Sequence, residues 1–247
     1  MKTVLRWLSQ LLYHPIRKVL TPPNNHEFVQ VGTVRFGHLR RLTPLSRVWG
    51  FDRGLPIDRN YIEAFLALES EHVRGRVLEV GDSAYTRKFG ADRVGTSDVL
   101  HVNAGAPHAT ITGDLTRADH IASNSFDCII LTQTLQLIYD TRAAIKTLHR
   151  ILAPRGVLLV TVPGITPIGD QEWMRHWYWN FTTRSAQRVF AERFGAEAVS
   201  VAAYGNVLTA IGFLHGLAAE ELTEEEKAYR DENYEVVITV KAQKVSS

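Results

Sequence analysis

The sequence predicts an open α/β fold: a mostly parallel, seven-stranded sheet with helices on both faces, preceded by an N-terminal helical extension. Three observations lead there. From Arg76 onward, short apolar runs alternate with loops and helical stretches, the pattern of strands that return to one sheet through crossover helices. The 247 residues are 45% apolar, enough to fill a core of that size. Neither a self-similar period nor a low-complexity run occurs, which sets aside solenoids and disordered arrays.

The first twenty residues contain no acid and place Val4, Leu5, Leu8, Leu11 and Leu12 near one helical face. This basic amphipathic helix and the linker Thr21-Pro22-Pro23-Asn24-Asn25 make up residues 1–25. Such a helix either lies on an anionic membrane surface or docks its apolar face on the domain; amphipathicity fits both. Arg6 and Ser9-Gln10 interrupt the apolar run and no small-residue cleavage site follows, which argues against a secretory signal. No run of about eighteen apolar residues occurs, so no segment is expected to span a bilayer.

A pre-core segment, residues 26–75, carries a helix over Asp58 to Ser70, with Tyr61, Ile62, Phe65, Leu66 and Leu68 near helical spacing and Asp58 as its N-cap. The main domain, residues 76–247, carries strands at Arg76–Val80, Arg93–Ser97, Ala109–Thr112, Phe126–Leu131, Val157–Val162, Ala198–Ala203 and Glu235–Ala242. Helices fill the gaps near Tyr85–Phe89 and at Thr141–Leu152, Thr183–Phe194 and Asn206–Ala219. Ala153-Pro154-Arg155-Gly156 reads as a helix stop ahead of the fifth strand, and Glu220 to Glu226 as a solvated helix.

Residues 1–60 hold ten Lys/Arg and three Asp/Glu, while the remainder is mildly acidic and the whole chain carries a net charge of +2. A basic front end suggests an anionic neighbour, whether lipid, phosphorylated substrate or nucleic acid. Cys128 is the only cysteine and sits in an apolar run, as a small buried hydrophobe of a reducing, cytoplasmic setting.

In an open α/β sheet the ligand site lies beyond the carboxyl ends of the strands. The first strand runs into Glu79-Val80-Gly81-Asp82-Ser83, where a glycine at a tight turn lets a ligand approach the backbone. The second is read to end at Thr96-Ser97-Asp98, an acid placed for ribose hydroxyls; the third at Gly113-Asp114-Leu115; the fourth at Thr132-Gln133. Taken singly, Glu79 also reads as a strand-end carboxylate, Asp98 as a turn residue and Asp114 as an Asx-type cap.

This set, with the run from Phe126-Asp127 through Leu148-His149-Arg150-Ile151-Leu152-Ala153-Pro154-Arg155-Gly156, resembles the class I S-adenosylmethionine-dependent methyltransferases, specifically their small-molecule branch, best over residues 76–165. The resemblance implies a Rossmann-like sheet with S-adenosylmethionine as cofactor. It puts the turn of Glu79, Gly81, Asp82 and Ser83 beside the methionine part, Asp98 on the ribose, Asp114 and Leu115 at the adenine, and Thr132 and Gln133 on the methyl-transfer side. The family's glycine-rich turn is reduced here to Gly81, and Arg155 stands where the family has glycine. A GxGxxG fingerprint and a P-loop are both absent, against a nicotinamide dehydrogenase and a nucleotide triphosphatase.

Methyl transfer to a hydroxyl wants a base, and the segment after the fifth strand offers Asp170, Glu172 and His176. The same segment holds Trp173, Trp177, Tyr178 and Phe181, either a stacking wall or lid for the acceptor, or a helix face packed on the sheet. His101, His108 and His120 match no compact metal-ligand spacing and read as loop histidines, so no metal is expected. The expected activity is methylation of a small-molecule or glycan-like acceptor, at oxygen. A quinone or isoprenoid methyltransferase and a noncatalytic binding module of the same fold fit the same residues. Nucleic acid is not the expected acceptor: the Asn/Asp-Pro-Pro-Tyr motif and a Pro-Cys pair are missing.

Overall fold

The computed structural model of the chain describes residues 29–245. The amphipathic helix and linker expected over residues 1–25 fall outside them. The described residues 29–41 belong to a unit of their own and contain one 3-10 turn, Gly37–Leu39, and the Arg40 guanidinium over the Phe36 ring. The second unit begins at Leu42 and holds all that follows. Among the described residues, no helix is long and apolar enough to cross a membrane.

Seven strands form one sheet: β1 Gly75–Val80, β2 Val94–His101, β3 Ile111–Thr112, β4 Phe126–Thr132, β5 Leu152–Pro163, β6 Val199–Tyr204 and β7 Val237–Gln243. Their order is β3-β2-β1-β4-β5-β7-β6, parallel except for β7, which runs antiparallel to β5 and β6. The helices are α1 Ile57–Leu68, α2 Ala84–Gly90, α3 Thr141–Ile151, α4 Gln171–Met174, α5 Thr183–Phe194, α6 Val207–His215 and α7 Glu224–Ala228.

The central strands are buried on both faces, which is why they read as continuous apolar runs rather than alternating ones. Successive side chains divide between two cores. Leu78, Ile129, Leu131, Leu158 and Val160 meet α3 and α5 through Ile145, Leu148, Phe190 and Phe194. Val77, Cys128, Ile130, Val157 and Leu159 meet α1 and α6 through Ile57, Ile62, Leu66 and Phe213. Fully burying one such side chain is worth roughly 1.5–3 kcal/mol, so either layer of helices is costly to remove. Burial pushes the Cys128 thiol up to about 12, leaving it an inert part of the second core.

Side chains cap several helices. Asp140 accepts from the Ala143 amide at the start of α3, Thr182 and Ser185 cap α5 reciprocally, and Asn206 and Thr209 do so for α6. The expected cap at Asp58 is corrected: α1 starts a residue earlier, behind Pro56, whose fixed φ suits a helix entry. Asp58 therefore lies in the first turn, where it accepts from the Arg59 amide at 2.8 Å. At the other end α6 stops at His215 because Gly216 takes φ +72 as its C-cap, short of the expected Ala219. The stretch Glu220 to Glu226 is likewise not one solvated helix. Glu220 accepts from the Leu55 amide and Glu221 pairs with Arg53, fastening the loop before α1, and only Glu224–Ala228 is α-helical.

The Ala153–Gly156 turn also works differently from its reading as a stop ahead of a strand. Strand β5 starts at Leu152, paired with Phe126, and pairing resumes at Val157 opposite Cys128, so the turn is an insertion within the strand. Arg155 sits at φ +66 in that insertion, exposed, with its amide donating to the Lys244 carbonyl at 2.9 Å. A left-handed non-glycine residue costs about 1–2 kcal/mol, more than the chain entropy that glycine adds. Arg155→Gly should therefore raise the thermal midpoint by roughly 1–4 °C. A lowered midpoint on differential scanning calorimetry would show that the arginine side chain supplies a compensating contact.

Candidate functional site

The carboxyl ends of β1, β2, β4 and β5 share one edge of the sheet, and the first turn there is built around Glu79. Its carboxylate, 2% exposed, accepts from the Tyr85 amide at 3.2 Å and the Thr86 amide at 2.7 Å. It caps α2 from beneath rather than facing the edge. Gly81 follows at φ +100, its amide donating to the Leu100 carbonyl; a β-carbon there would meet nothing within 4 Å. The backbone of the turn thus stands open to a ligand. Asp82 accepts from the Ala84 amide at 2.7 Å, and the Ser83 hydroxyl accepts from Arg87.

The second strand is longer than the sequence suggests, and this displaces Asp98. Strand β2 runs on to His101, so Asp98 lies inside it, opposite Leu78, and not at its end. One carboxylate oxygen accepts from Arg76 Nε at 2.8 Å and the other from the Thr110 hydroxyl at 2.9 Å. Arg76 and Thr110 line a hollow with His120, Ser125 and Phe126, at the amino end of β4 and away from the carboxyl edge. The residue that ends β2 is His101, half-buried, with Nδ1 accepting from the Asn103 amide at 3.0 Å. In the neutral ring this fixes the proton on Nε2. By sequence alone His101 reads as a loop histidine, because the polar stretch Thr96-Ser97-Asp98 reads as the end of the strand.

Asp114 closes an Asx-type turn, accepting from both the amide and the hydroxyl of Thr116. The Leu115 side chain is in the core, so only its backbone is available to a ligand. Thr132 ends β4, and Gln133 after it takes φ +45, its amide donating to the Thr161 carbonyl at 2.9 Å. A left-handed backbone at a non-glycine residue is strain of the kind that gathers at functional sites. Gln136, 2% exposed, leaves its Oε1 without a hydrogen-bond partner.

Beside these residues a cleft is lined by Trp49, Phe51, Asp58, Arg59, Gln133, Gln136, Thr166, Trp173 and Trp177. The aromatic segment that supplies two of its walls is not a helix face on the sheet. Only Gln171–Met174 is helical; beyond it the Gln136 carbonyl accepts from the Tyr178 and Trp179 amides, and Phe181 alone is buried in the core. Trp173 meets Trp49 edge to face at 6.2 Å, and Trp49 Nε1 donates to the Pro167 carbonyl. Gly169, at φ +93, lets Trp49 come this close, since a β-carbon there would lie 2.7 Å from its ring. Tyr178 turns outside the cleft and packs on Tyr139 at 5.4 Å.

The three suggested bases are not brought to the cleft. Asp170 caps the Glu172 and Trp173 amides, and Glu172 and His176 are exposed. The acid that does line it is Asp58, whose carboxyl burial raises above the usual aspartate range. Trp49, Phe51, Asp58 and Arg59 escaped the sequence reading because their relation to Trp173 and Gln133 is entirely tertiary. Asp58 alone carried a local signal, and it was absorbed by the helix-cap reading. Among the described residues, no cluster of three or more metal-ligating side chains occurs.

Burial pushes Glu79 up to about 7 from the ordinary glutamate value of 4.5. The folded chain therefore holds this proton more tightly than the unfolded one. The associated stability is complete below pH 4.5 and is lost as pH rises through 7. Glu79→Gln should consequently gain on wild type by roughly 2–3 kcal/mol between pH 5 and pH 8 in urea unfolding. A difference between the two proteins that stays constant with pH would contradict this.

A family model described as a methyltransferase domain matches residues 57–201, from α1 into β6. No curated protein sequence matches the chain. Among solved structures, the chain is similar to the N-methyltransferase NodS of Bradyrhizobium japonicum in complex with S-adenosyl-L-homocysteine, at 17% identity and a TM-score of 0.50, over 84% of this chain and 95% of that one. It is similar also to an S-adenosylmethionine-dependent methyltransferase of Mesorhizobium loti, at 17% identity and 0.51, over 79% and 100%. Phosphoethanolamine N-methyltransferase 2 of Haemonchus contortus gives 15% and 0.52, over 76% of this chain and 53% of that one. At such identities these likenesses speak for the fold, while the family match spans more than half of the sequence. The chain belongs to the class I S-adenosylmethionine-dependent methyltransferases.

Proposed function

We propose that the protein methylates a small-molecule or glycan-like acceptor at oxygen. The observation that carries this reading is the aromatic cleft itself: Trp49, Phe51, Trp173 and Trp177 stand around Gln133 at the carboxyl end of β4, with Asp58 among them. Indole faces suit a ring-bearing acceptor, sugar or aromatic, and keep water from the reacting atoms.

The open backbone at Gly81 fits a cofactor that approaches the first turn, and Asp82 and Ser83 shape that turn for its methionine part. In this proposal His101 faces the ribose, since it ends β2, and Asp98 holds Arg76 and Thr110 in place behind it. Asp114 sets the turn that offers the Leu115 backbone to the adenine, and Thr132 and Gln133 border the methyl-transfer side. Once bound, S-adenosylmethionine supplies a methyl group already activated on a sulfonium.

The chain's own part is to orient the acceptor and receive its proton. Gln133 and Gln136 offer polar groups to a hydroxyl, and the unpartnered Gln136 Oε1 is an acceptor in want of a donor. Asp58 takes the hydroxyl proton as oxygen attacks the methyl carbon, and its burial, which raises its affinity for protons, suits it to that role. With tritiated S-adenosylmethionine and a screen of glycans and small hydroxylated rings, wild type should label an acceptor. Asp58→Asn should then turn over roughly 10²–10⁴-fold more slowly. A variant as fast as wild type would remove Asp58 from the chemistry, and binding of cofactor with no labelled acceptor would favour a noncatalytic module.

A further inference from the structure

Arg59 is the one cationic side chain among the residues that line the cleft, and it makes no direct ion pair there. It lies in the first turn of α1, half-buried, and Nη1 donates to the Tyr85 hydroxyl at 3.1 Å. Among the described residues no carboxylate comes within 4 Å of its guanidinium, whereas Arg53, Arg76, Lys88 and Arg142 each have one. Asp58 and Asp82 act on it through space, without contact. A cation partly withdrawn from water and held by a neutral phenol is a receptor for an anion, with most of its five donors still to be used.

Its position says which anion. Tyr85, which holds the guanidinium, belongs to the first turn of α2, and its own amide is fixed by Glu79. The receptor thus stands between the open turn at Gly81 and the aromatic cleft, where a planar fork matches a carboxylate in two-point contact. We propose that Arg59, positioned by Tyr85, binds the amino-acid carboxylate of the cofactor. This rests on the cofactor reading above and adds to it a residue from outside the strand-end turns. A carboxylate on the acceptor is the other source of the same chemistry, and the test separates the two.

Calorimetric titration with S-adenosylhomocysteine, which carries the amino-acid part, and with 5′-methylthioadenosine, which lacks it, distinguishes them without any acceptor. Arg59→Gln should weaken S-adenosylhomocysteine on the order of 10- to 100-fold and leave 5′-methylthioadenosine within about twofold. Arg59→Lys should recover part of the loss, and Tyr85→Phe should produce a smaller, selective one. Retained binding of 5′-methylthioadenosine doubles as the control for folding. Unchanged S-adenosylhomocysteine affinity in Arg59→Gln would overturn the assignment and give the receptor to the acceptor. Equal losses for both ligands would overturn it as a general disruption of the site. If wild type bound neither, the cofactor reading would fall, and this assignment with it.

Discussion

Parallel pairing of β1 with β2 and β4, and of β4 with β5, is the constraint on which the rest depends. Parallel strands cannot be joined by hairpins, so each must be followed by a crossover, and every turn out of a strand then falls on the same edge. The sheet can only be stable with both faces covered, which the two helical layers achieve through separate cores. Gly81, His101 and Gln133 are neighbours along that edge for this reason, although they are far apart in sequence. The antiparallel β7 completes the sheet without adding a turn to it.

The acids Glu79, Asp98 and Asp114 serve construction before they serve a ligand. Glu79 spends both carboxylate oxygens on amides of α2, Asp98 spends both on Arg76 and Thr110, and Asp114 is turned toward Thr116. A buried carboxylate without donors would be costly, and Glu79 and Asp98 have found theirs within the fold, while the exposed Asp114 closes its own turn. What remains for a ligand is backbone at Gly81 and Leu115, the His101 ring and the side chains of the cleft.

This explains how far the sequence could be read. Strand positions were legible because two-sided burial writes itself as apolar runs, and α5 was placed at Thr183–Phe194 as observed. The end of β2 was not, since Thr96, Ser97 and Asp98 look like a loop when the partners that satisfy them are unseen. The aromatic segment declared its composition but not its conformation: the Gln136 carbonyl, a tertiary partner, holds it out of the helical path. Apart from Asp58, which reads as a helix cap, the cleft walls from Trp49 to Arg59 have no local signature, because side chains distant in sequence define them only after α1 has docked on the sheet.

Hydrogen–deuterium exchange with and without S-adenosylhomocysteine tests most directly whether the carboxyl edge is the site. The account predicts slowed exchange at Gly81 to Thr86, His101 to Asn103, Leu115 and Gln133 to Gln136, with residues 120–125 at the opposite end unchanged. Protection confined to that opposite hollow, where Arg76, Thr110 and His120 meet, would contradict it.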